Sequence, residues 1–203
     1  MSATSEVSIA NMALTLLGQQ TIISFTDDNN RAHLASARYE DVRDAVLRSH
    51  YWNCAMKRAT LASNATDPDW GFNSAFDLPV DFLRLMAMDD IGADYRIEGR
   101  QILSDATSMK ILYVHKLTDV NTMDELLKQT IAARLAVDLC IPLAGSTSLL
   151  QIAMDLWERK LSEARYVDSM EGPTQLDIRP SSWLEARLVG SYSDLAQRGI
   201  AGS

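Results

Sequence analysis

The residues of this chain that could do chemistry are its histidines, its cysteines and its many carboxylates. His33, His50 and His115 are 17 and 65 residues apart and belong to no HExxH or cysteine-histidine cluster, so their spacing predicts no metal site. Cys54 and Cys140 stand in the apolar contexts YWNCAM and VDLCIP, which indicate two buried thiols in a reducing compartment. We therefore expect no metal, no cofactor and no catalytic residue.

The motifs that usually carry nucleophilic or nucleotide chemistry are not found in the sequence either. Its glycines form no GxGxxG or GxxxxGK[ST] pattern, and no nucleophile-elbow motif surrounds a serine, so the sequence indicates neither a phosphate cradle nor a catalytic triad. Carboxylates are frequent over residues 67–105. Their number alone could place two of them at the separation that glycosidases use, which gives the pattern little specificity.

Two groups of residues are candidates for contacts with a neighbouring subunit. The aromatic residues Trp70, Phe72 and Phe76 fall in the irregular stretch 63–77, where they could either cap the local core or meet another chain. Arg38 and Arg43 belong to a basic stretch whose charges alternate with acids on a predicted helix. We interpret that stretch as a solvated or subunit-facing surface and not as a nucleic-acid site.

The elements that must position these residues are mainly helical. Apolar residues recur at three- and four-residue spacings and predict helices over about residues 5–17, 29–49, 122–140 and 146–171. Thr122 with Glu125 matches a capping box, and Pro142 with Gly145 predicts the end of that helix. The last helix carries a stripe with Met154 and Trp157 that helical spacing assigns to the core.

A β-rich insertion is predicted over about residues 51–118. Residues alternate around Trp52, Cys54 and Met56, which predicts a strand there, and Leu78-Pro79 predicts a turn of helix that leads into another strand. Residues 95–98 and 101–104 flank Gly99-Arg100 as in a hairpin. With residues 111–114 they predict one small antiparallel meander.

Composition and charge exclude several classes of protein. The chain has 203 residues, 47% of them hydrophobic, and a net charge of −8, so a protein that coats DNA by neutralising phosphates is disfavoured. Residues 61–125 carry 5 basic and 12 acidic residues. We find no bilayer-length apolar run and no basic leader at the N-terminus, so we expect neither a membrane nor a secretory protein.

The C-terminal residues 173–203 form a separate segment. Two prolines and several serines and glycines interrupt any periodicity there. Its apolar residues nevertheless exceed what a solvated tail carries. We predict an extended arm that either lies on its own domain or, as we favour, binds a second protein through Leu176, Ile178, Trp183, Leu184 and Leu188.

Taken together, these features resemble the head-to-tail adaptor (connector) or tail tubular protein A family of short-tailed bacteriophages. The resemblance covers roughly residues 7–171 and rests on the opening helix that ends in LLG, the block from RAHLASARYEDVRDAVLRSHYWN to MKRATLA, and LPVDFLRL. The arm matches only in its SSWLEARL segment. The expected fold is α+β and mainly α-helical: a core of antiparallel-packed helices in a bundle over residues 1–172, a small antiparallel β-sheet insertion, and an extended C-terminal arm over 173–203.

The resemblance implies a structural role in the virion and no enzymatic activity. It implies a homo-oligomeric ring of about 12 copies below the portal protein, a platform for the tail nozzle protein, and a channel through which genomic DNA passes without sequence-specific binding. The protein would then be assembled in the host cytoplasm and end in the neck or tail of the virion. Two alternatives remain at this point: a tail-associated hydrolase of envelope polysaccharide or peptidoglycan, and a host scaffold or regulator of similar helical architecture.

Overall fold

The chain has an α+β fold in which helices and strands occupy separate parts of the sequence. The structure is a computed structural model that describes residues 5–89 and 94–171. Within these residues there are four α-helices and six strands, in two small antiparallel sheets. In chain order they are α1 (Glu6–Leu16), α2 (Asn30–Ser49), β1 (Met56–Ala62), β2 (Ser74–Asp77), β3 (Phe82–Met88), β4 (Tyr95–Glu98), β5 (Gln101–Ser104), β6 (Ser108–His115), α3 (Glu125–Ala144) and α4 (Thr147–Glu171).

The first two helices begin at local capping residues, as their sequences lead one to expect. Ser5 and Ser8 satisfy each other's backbone N–H groups in a capping box at the start of α1. The Asn29 side chain accepts from the Ala32 N–H at 2.9 Å and caps α2. Gly18, in a left-handed conformation with φ 66°, follows α1 and turns the chain out of the helix.

Helix α3 differs from its predicted boundaries at both ends. The predicted capping box is wrong: the N-cap is Asp124, whose carboxylate accepts from the Leu126 N–H at 2.8 Å, while the Thr122 hydroxyl donates to the carbonyl of Asp119. Pro142 lies inside the helix, where its fixed φ is compatible with the last turn. The helix ends at Ala144, and the cap residue Gly145 that follows it adopts φ 61°.

The helical layer has a single apolar core. Helix α3 packs against both α1 and α2, and the core contains fully buried Ile9, Leu47 and Leu135. Each such side chain contributes about 1.5–3 kcal/mol of hydrophobic stabilisation. In helix α4 only the small Ala153 and Ala164 are buried, while Leu149, Leu150 and Leu161 are half-buried and pack against this core. The prediction that its whole stripe is core is wrong for Met154, which is 37% exposed.

The strands form two sheets instead of the single predicted meander. One sheet has the order β1-β6-β3 and the other β2-β5-β4. The hairpin of β4 and β5 is confirmed, with Ile97 opposite Ile102. However, β5 pairs next with β2, and β6 pairs with β1 from Met56↔Val114 to Ala62↔Ser108. A second apolar cluster, which includes Phe76, Ile102 and Tyr113, is built from residues of both sheets.

Three further boundaries in the β-rich insertion differ from expectation. Residues Asn53–Ala55 form a 3₁₀ turn, so β1 begins only at Met56. The stretch 63–77 is irregular only in part, because its last four residues are strand β2. The residues after Leu78-Pro79 form a turn and not a turn of helix before β3.

Candidate functional site

The predicted aromatic contact residues occupy three different environments. Trp70 is 83% exposed, and Phe72 is half-buried in the same loop. Phe76 is fully buried in β2 and belongs to the core of the strand region. Phe76 is therefore corrected from a candidate interface residue to a core residue, because strand alternation turns its ring inward. Of these three predicted residues, Trp70 alone presents a large aromatic surface to solvent.

The loop that carries Trp70, residues 65–72, is fastened at its base by backbone and carboxylate contacts. The Asn64 N–H donates to the carbonyl of Ala75 at 2.8 Å, and the Asn73 N–H donates to the carboxylate of Asp105 at 2.9 Å. The Asn64 side chain donates to Asp77. Hydrogen bonds from Asn64 and then Gln101 lower the pKa of the Asp77 carboxyl. These contacts fix where the loop leaves the sheet and leave its tip exposed.

The two candidate arginines of α2 lie on different faces of that helix. Arg38 is exposed. Arg43 is only 1% exposed and donates to Asp44 at 2.9 Å and to Glu6 of α1 at 3.3 Å. Its guanidinium also lies 5.8 Å from the ring centre of Tyr39. Arg43 is therefore corrected from a candidate interface residue to an internal link between α1 and α2.

A polar cluster ties α4 to the segment between α2 and β1. The carboxylate of Asp168 lies 3.1 Å from Nε2 of His50 and accepts from the Asn53 N–H at 2.9 Å. The Asn53 side chain donates to the Asp168 carbonyl at 2.6 Å. Each of these polar groups is used in joining two parts of the fold. The cluster is therefore best explained as a structural clamp.

A second polar cluster joins β1, β3 and β6. The Asp81 carboxylate accepts from Tyr113 at 3.0 Å and from Lys57 at 2.7 Å. Burial opposes ionisation of Asp81, but hydrogen bonds from Lys57 and Tyr113 outweigh it, so the pKa of this carboxyl is lowered. Burial, together with the bond to Asp81, raises the pKa of Tyr113 to about 12. Both groups keep their ordinary charge at neutral pH.

The two thiols are poor nucleophiles in this structure. Burial is the main cause that raises the pKa of the Cys54 thiol and of the Cys140 thiol, so both are protonated at neutral pH. Among residues 5–89 and 94–171, no three histidine, cysteine or acidic side chains are grouped as a metal site would require. Asp67, Asp69 and Glu98 do share one open cleft of about 640 Å³ with Trp70.

A basic cleft that the sequence analysis did not identify lies on the other side of β4. Arg48 of α2, Arg84 of β3 and Arg100 of the β4-β5 turn line it, and its volume is about 400 Å³. The three arginines come from separate elements, so no local motif could have indicated that they meet. Arg96 and Glu98 of β4 face the Trp70 loop, whereas Tyr95 and Ile97 face the basic cleft.

An apolar groove lies between α1, α3 and α4. Met12 and Leu16 of α1, Ala132 and Ala133 of α3 and Leu156 of α4 line it, with a volume of about 520 Å³. Met12 and Leu16 are four residues apart and therefore share one face of α1. That face is not fully covered, because Leu16 is 43% exposed.

The remaining predicted site residues, Leu176, Ile178, Trp183, Leu184 and Leu188, lie outside the described residues. None of the helices in the described part of the chain combines the length and the apolar character that crossing a bilayer requires. No protein-family model matches this chain, and no curated protein matches it either.

Proposed function

We propose that this protein is a structural head-to-tail adaptor of a bacteriophage virion. In this proposal copies of the chain form a ring that joins the portal protein to the tail nozzle and continues the DNA channel. The four helices act as the bundle of the ring subunit, and residues 173–203 act as an extended arm that binds the portal. The family resemblance of the sequence supplies the identity of the partners.

The observation that carries the proposal is that residues 5–89 and 94–171 include large apolar side chains that are exposed. The surface of the groove of α1, α3 and α4 is mostly apolar, Ile152 is 61% exposed, and Trp70 is 83% exposed. Such surfaces on a folded protein are typical of sites that another protein covers. They lie on both the helical and the β-rich parts of the chain, as expected for a subunit with several neighbours.

The charge of the chain agrees with a channel role. A net charge of −8 disfavours attachment to DNA phosphates, and a wall that does not bind DNA lets a genome pass. The basic residue Arg43, which could have opposed this, is buried against Glu6 and Asp44.

Electron microscopy of the full chain with a cognate portal protein tests the proposal. We expect symmetric rings attached to the portal. Replacing Trp183 and Leu184 together by alanine is expected to weaken attachment, because aromatic and aliphatic anchors dominate interface energies, and Ser181→Ala is the matched control in the same segment. If the chain stays monomeric and does not bind the portal protein, the proposal is contradicted.

A tail-associated hydrolase of envelope glycans is the second candidate function. The observation in its favour is the cleft in which Asp67, Asp69 and Glu98 lie with the exposed ring of Trp70, since glycosidases use paired carboxylates. Release of reducing sugar from capsule or peptidoglycan, lost in Asp67→Asn and Asp69→Asn, would support it. No release by the wild-type chain would exclude this reading.

A further inference from the structure

The basic cleft has arginines that are held in place without acidic partners. Arg84 donates to the carbonyl of Arg48 at 3.3 Å, and its guanidinium lies 4.3 Å from the ring centre of Tyr51. Arg100 donates to the carbonyl of Pro79 at 2.7 Å, and Arg48 donates to the carbonyl of Leu83. None of the three forms an ion pair with a carboxylate of the described residues. Backbone contacts therefore position three cations and leave their charge uncompensated.

The rest of the cleft is apolar and aromatic. Leu78, Phe82 and Leu85 line it, together with Tyr95 and Ile97 of β4, which are 48% and 42% exposed. Arginine beside tyrosine and aliphatic side chains is typical of protein interfaces. A phosphate alone would use the guanidinium groups and leave this apolar surface in water, so the lining favours a peptide ligand that has both acidic and apolar side chains.

The Trp70 loop of the same chain has these two properties. Asp67 and Asp69 are exposed, and the Trp70 ring next to them is 83% exposed. Two carboxylates and one aromatic ring thus project from a loop whose base is fixed. Guanidinium groups bind carboxylates in a planar, two-bond geometry, and the aromatic ring matches the apolar part of the cleft.

The loop and the cleft lie on opposite faces of the β2-β5-β4 sheet. Residues of β4 alternate between them, with Arg96 and Glu98 on the side of the loop and Tyr95 and Ile97 on the side of the cleft. A contact between loop and cleft therefore joins two copies of the chain. Because it uses two different surfaces, it is a head-to-tail contact, which generates a ring when the rotation closes.

We propose that the Trp70 loop of one copy inserts into the arginine cleft of the next copy, with Asp67 and Asp69 bound by Arg48, Arg84 and Arg100. The proposal rests on the proposed function in that it supplies the contact between neighbouring subunits of the ring. The ligand of the cleft is thus a second copy of this chain.

Crosslinking between the loop and the cleft tests this arrangement directly. The full chain with Thr66→Cys in the loop and Ile97→Cys in the cleft, which keeps both aspartates and all three arginines, is treated with a short bismaleimide, alone and together with a cognate portal protein. We expect a ladder of dimers, trimers and larger species, because each copy carries both halves of the contact. A mixture of the two single variants should stop at dimers. Thr66→Cys with Arg58→Cys on β1, and the wild-type chain with its two native thiols, should give no ladder.

Charge reversal gives a second measurement that does not depend on the new thiols. Arg100→Glu alone, or Asp67→Arg with Asp69→Arg, should weaken self-association by about tenfold. A mixture of these two variants should associate again, but only as dimers, because the intact loop of the Arg100→Glu chain then meets the intact cleft of the other chain. Arg58→Glu is the control and should associate like the wild type.

The possible outcomes separate this inference from the proposed function. Rings on the portal without a ladder overturn the inference and leave the adaptor role standing. A ladder without attachment to the portal supports the inference and contradicts the adaptor role. Absence of a ladder both with and without the portal protein overturns the inference. The inference is also overturned if the chain does not self-associate and instead binds inorganic pyrophosphate, or an acidic peptide of unrelated sequence, at Arg100.

Discussion

Replacement of Arg43 by alanine distinguishes an internal link from an interface residue. The side chain is 1% exposed and binds Glu6 and Asp44, and hydrogen bonds to charged groups contribute about 1.5–3 kcal/mol each when buried. Here Glu6 is 41% and Asp44 is 24% exposed, so water can solvate both carboxylates once the arginine is gone. We therefore reduce their combined contribution to about 1 kcal/mol.

Loss of the packed aliphatic stem of Arg43 adds about 1–2 kcal/mol, because the cavity left behind cannot collapse fully. Arg43→Ala should thus lower the free energy of unfolding by about 2–3 kcal/mol, a large part of the 5–15 kcal/mol usual for a domain. Arg43→Met keeps most of the stem and should cost about 1 kcal/mol. Arg38→Ala, on the exposed side of the same helix, should stay within about 0.5 kcal/mol of the wild type.

Urea unfolding followed by circular dichroism measures these differences, with sedimentation of the same variants to report self-association. Fluorescence of the buried Trp52 gives a second probe of the same transition, alongside the signals of the other tryptophans. If Arg43→Ala unfolds like the wild type but no longer self-associates, Arg43 is an interface residue and the burial argument is refuted.

Three other predictions follow from the polar contacts of the fold. Asp124→Ala should cost about 1 kcal/mol of unfolding free energy, and Thr122→Ala much less, because Asp124 is the N-cap of α3; urea midpoints give both. Asp81 has a lowered folded pKa, so its stabilising effect is complete above the unfolded pKa of about 3.9 and is lost as the pH falls through the folded value. The stability difference between wild type and Asp81→Asn should accordingly be constant near neutral pH and shrink below about pH 4, and an unchanged difference at low pH would contradict the assignment. Asp168→Ala leaves the Asn53 N–H without its carboxylate and should cost about 1–3 kcal/mol, seen as faster amide exchange around Asn53.

The helices could be predicted because their determinants are local. Ser5, Asn29 and Gly145 lie at helix ends and act within a few residues of themselves. The false capping box at Thr122 has the same origin, since two residues near one helix end both have suitable oxygens. Sequence spacing alone does not decide which of them forms the hydrogen bonds.

The sheets could be predicted only where partners are close in the chain. The β4-β5 hairpin has a two-residue turn with Gly99 at φ 58°. By contrast, β1 pairs with β6, which lies at the other end of the insertion. The hydrophobic pattern of β1 does not indicate which strand it pairs with. The meander prediction failed because neighbouring strands in sequence, β5 and β6, belong to different sheets.

The candidate site residues were predicted least well, because the burial of a side chain depends on which face of its helix or strand other elements pack against. Helical period places Arg43 one turn from Tyr39, but it does not say that α1 covers that side. Likewise alternation puts Phe76 and Asp77 on opposite faces without saying which face is the core. The basic cleft is the extreme case, since Arg48, Arg84 and Arg100 are 36 and 16 residues apart in the sequence and line one cleft only in the folded chain.

The charge distribution explains why a small basic cleft could govern assembly of an acidic chain. Each copy carries a net charge of −8, so two copies repel one another at long range, but salt screens this repulsion beyond about 8 Å at physiological ionic strength. At contact distance the charges of the neighbouring side chains determine whether two copies attract or repel each other. Arg43, Arg96 and Arg134 are ion-paired within the chain and contribute little there, whereas the three arginines of the cleft bond to backbone carbonyls and keep their positive charge. An acidic loop of a neighbouring copy is therefore attracted to this cleft at contact distance, which favours the head-to-tail orientation that brings the two together.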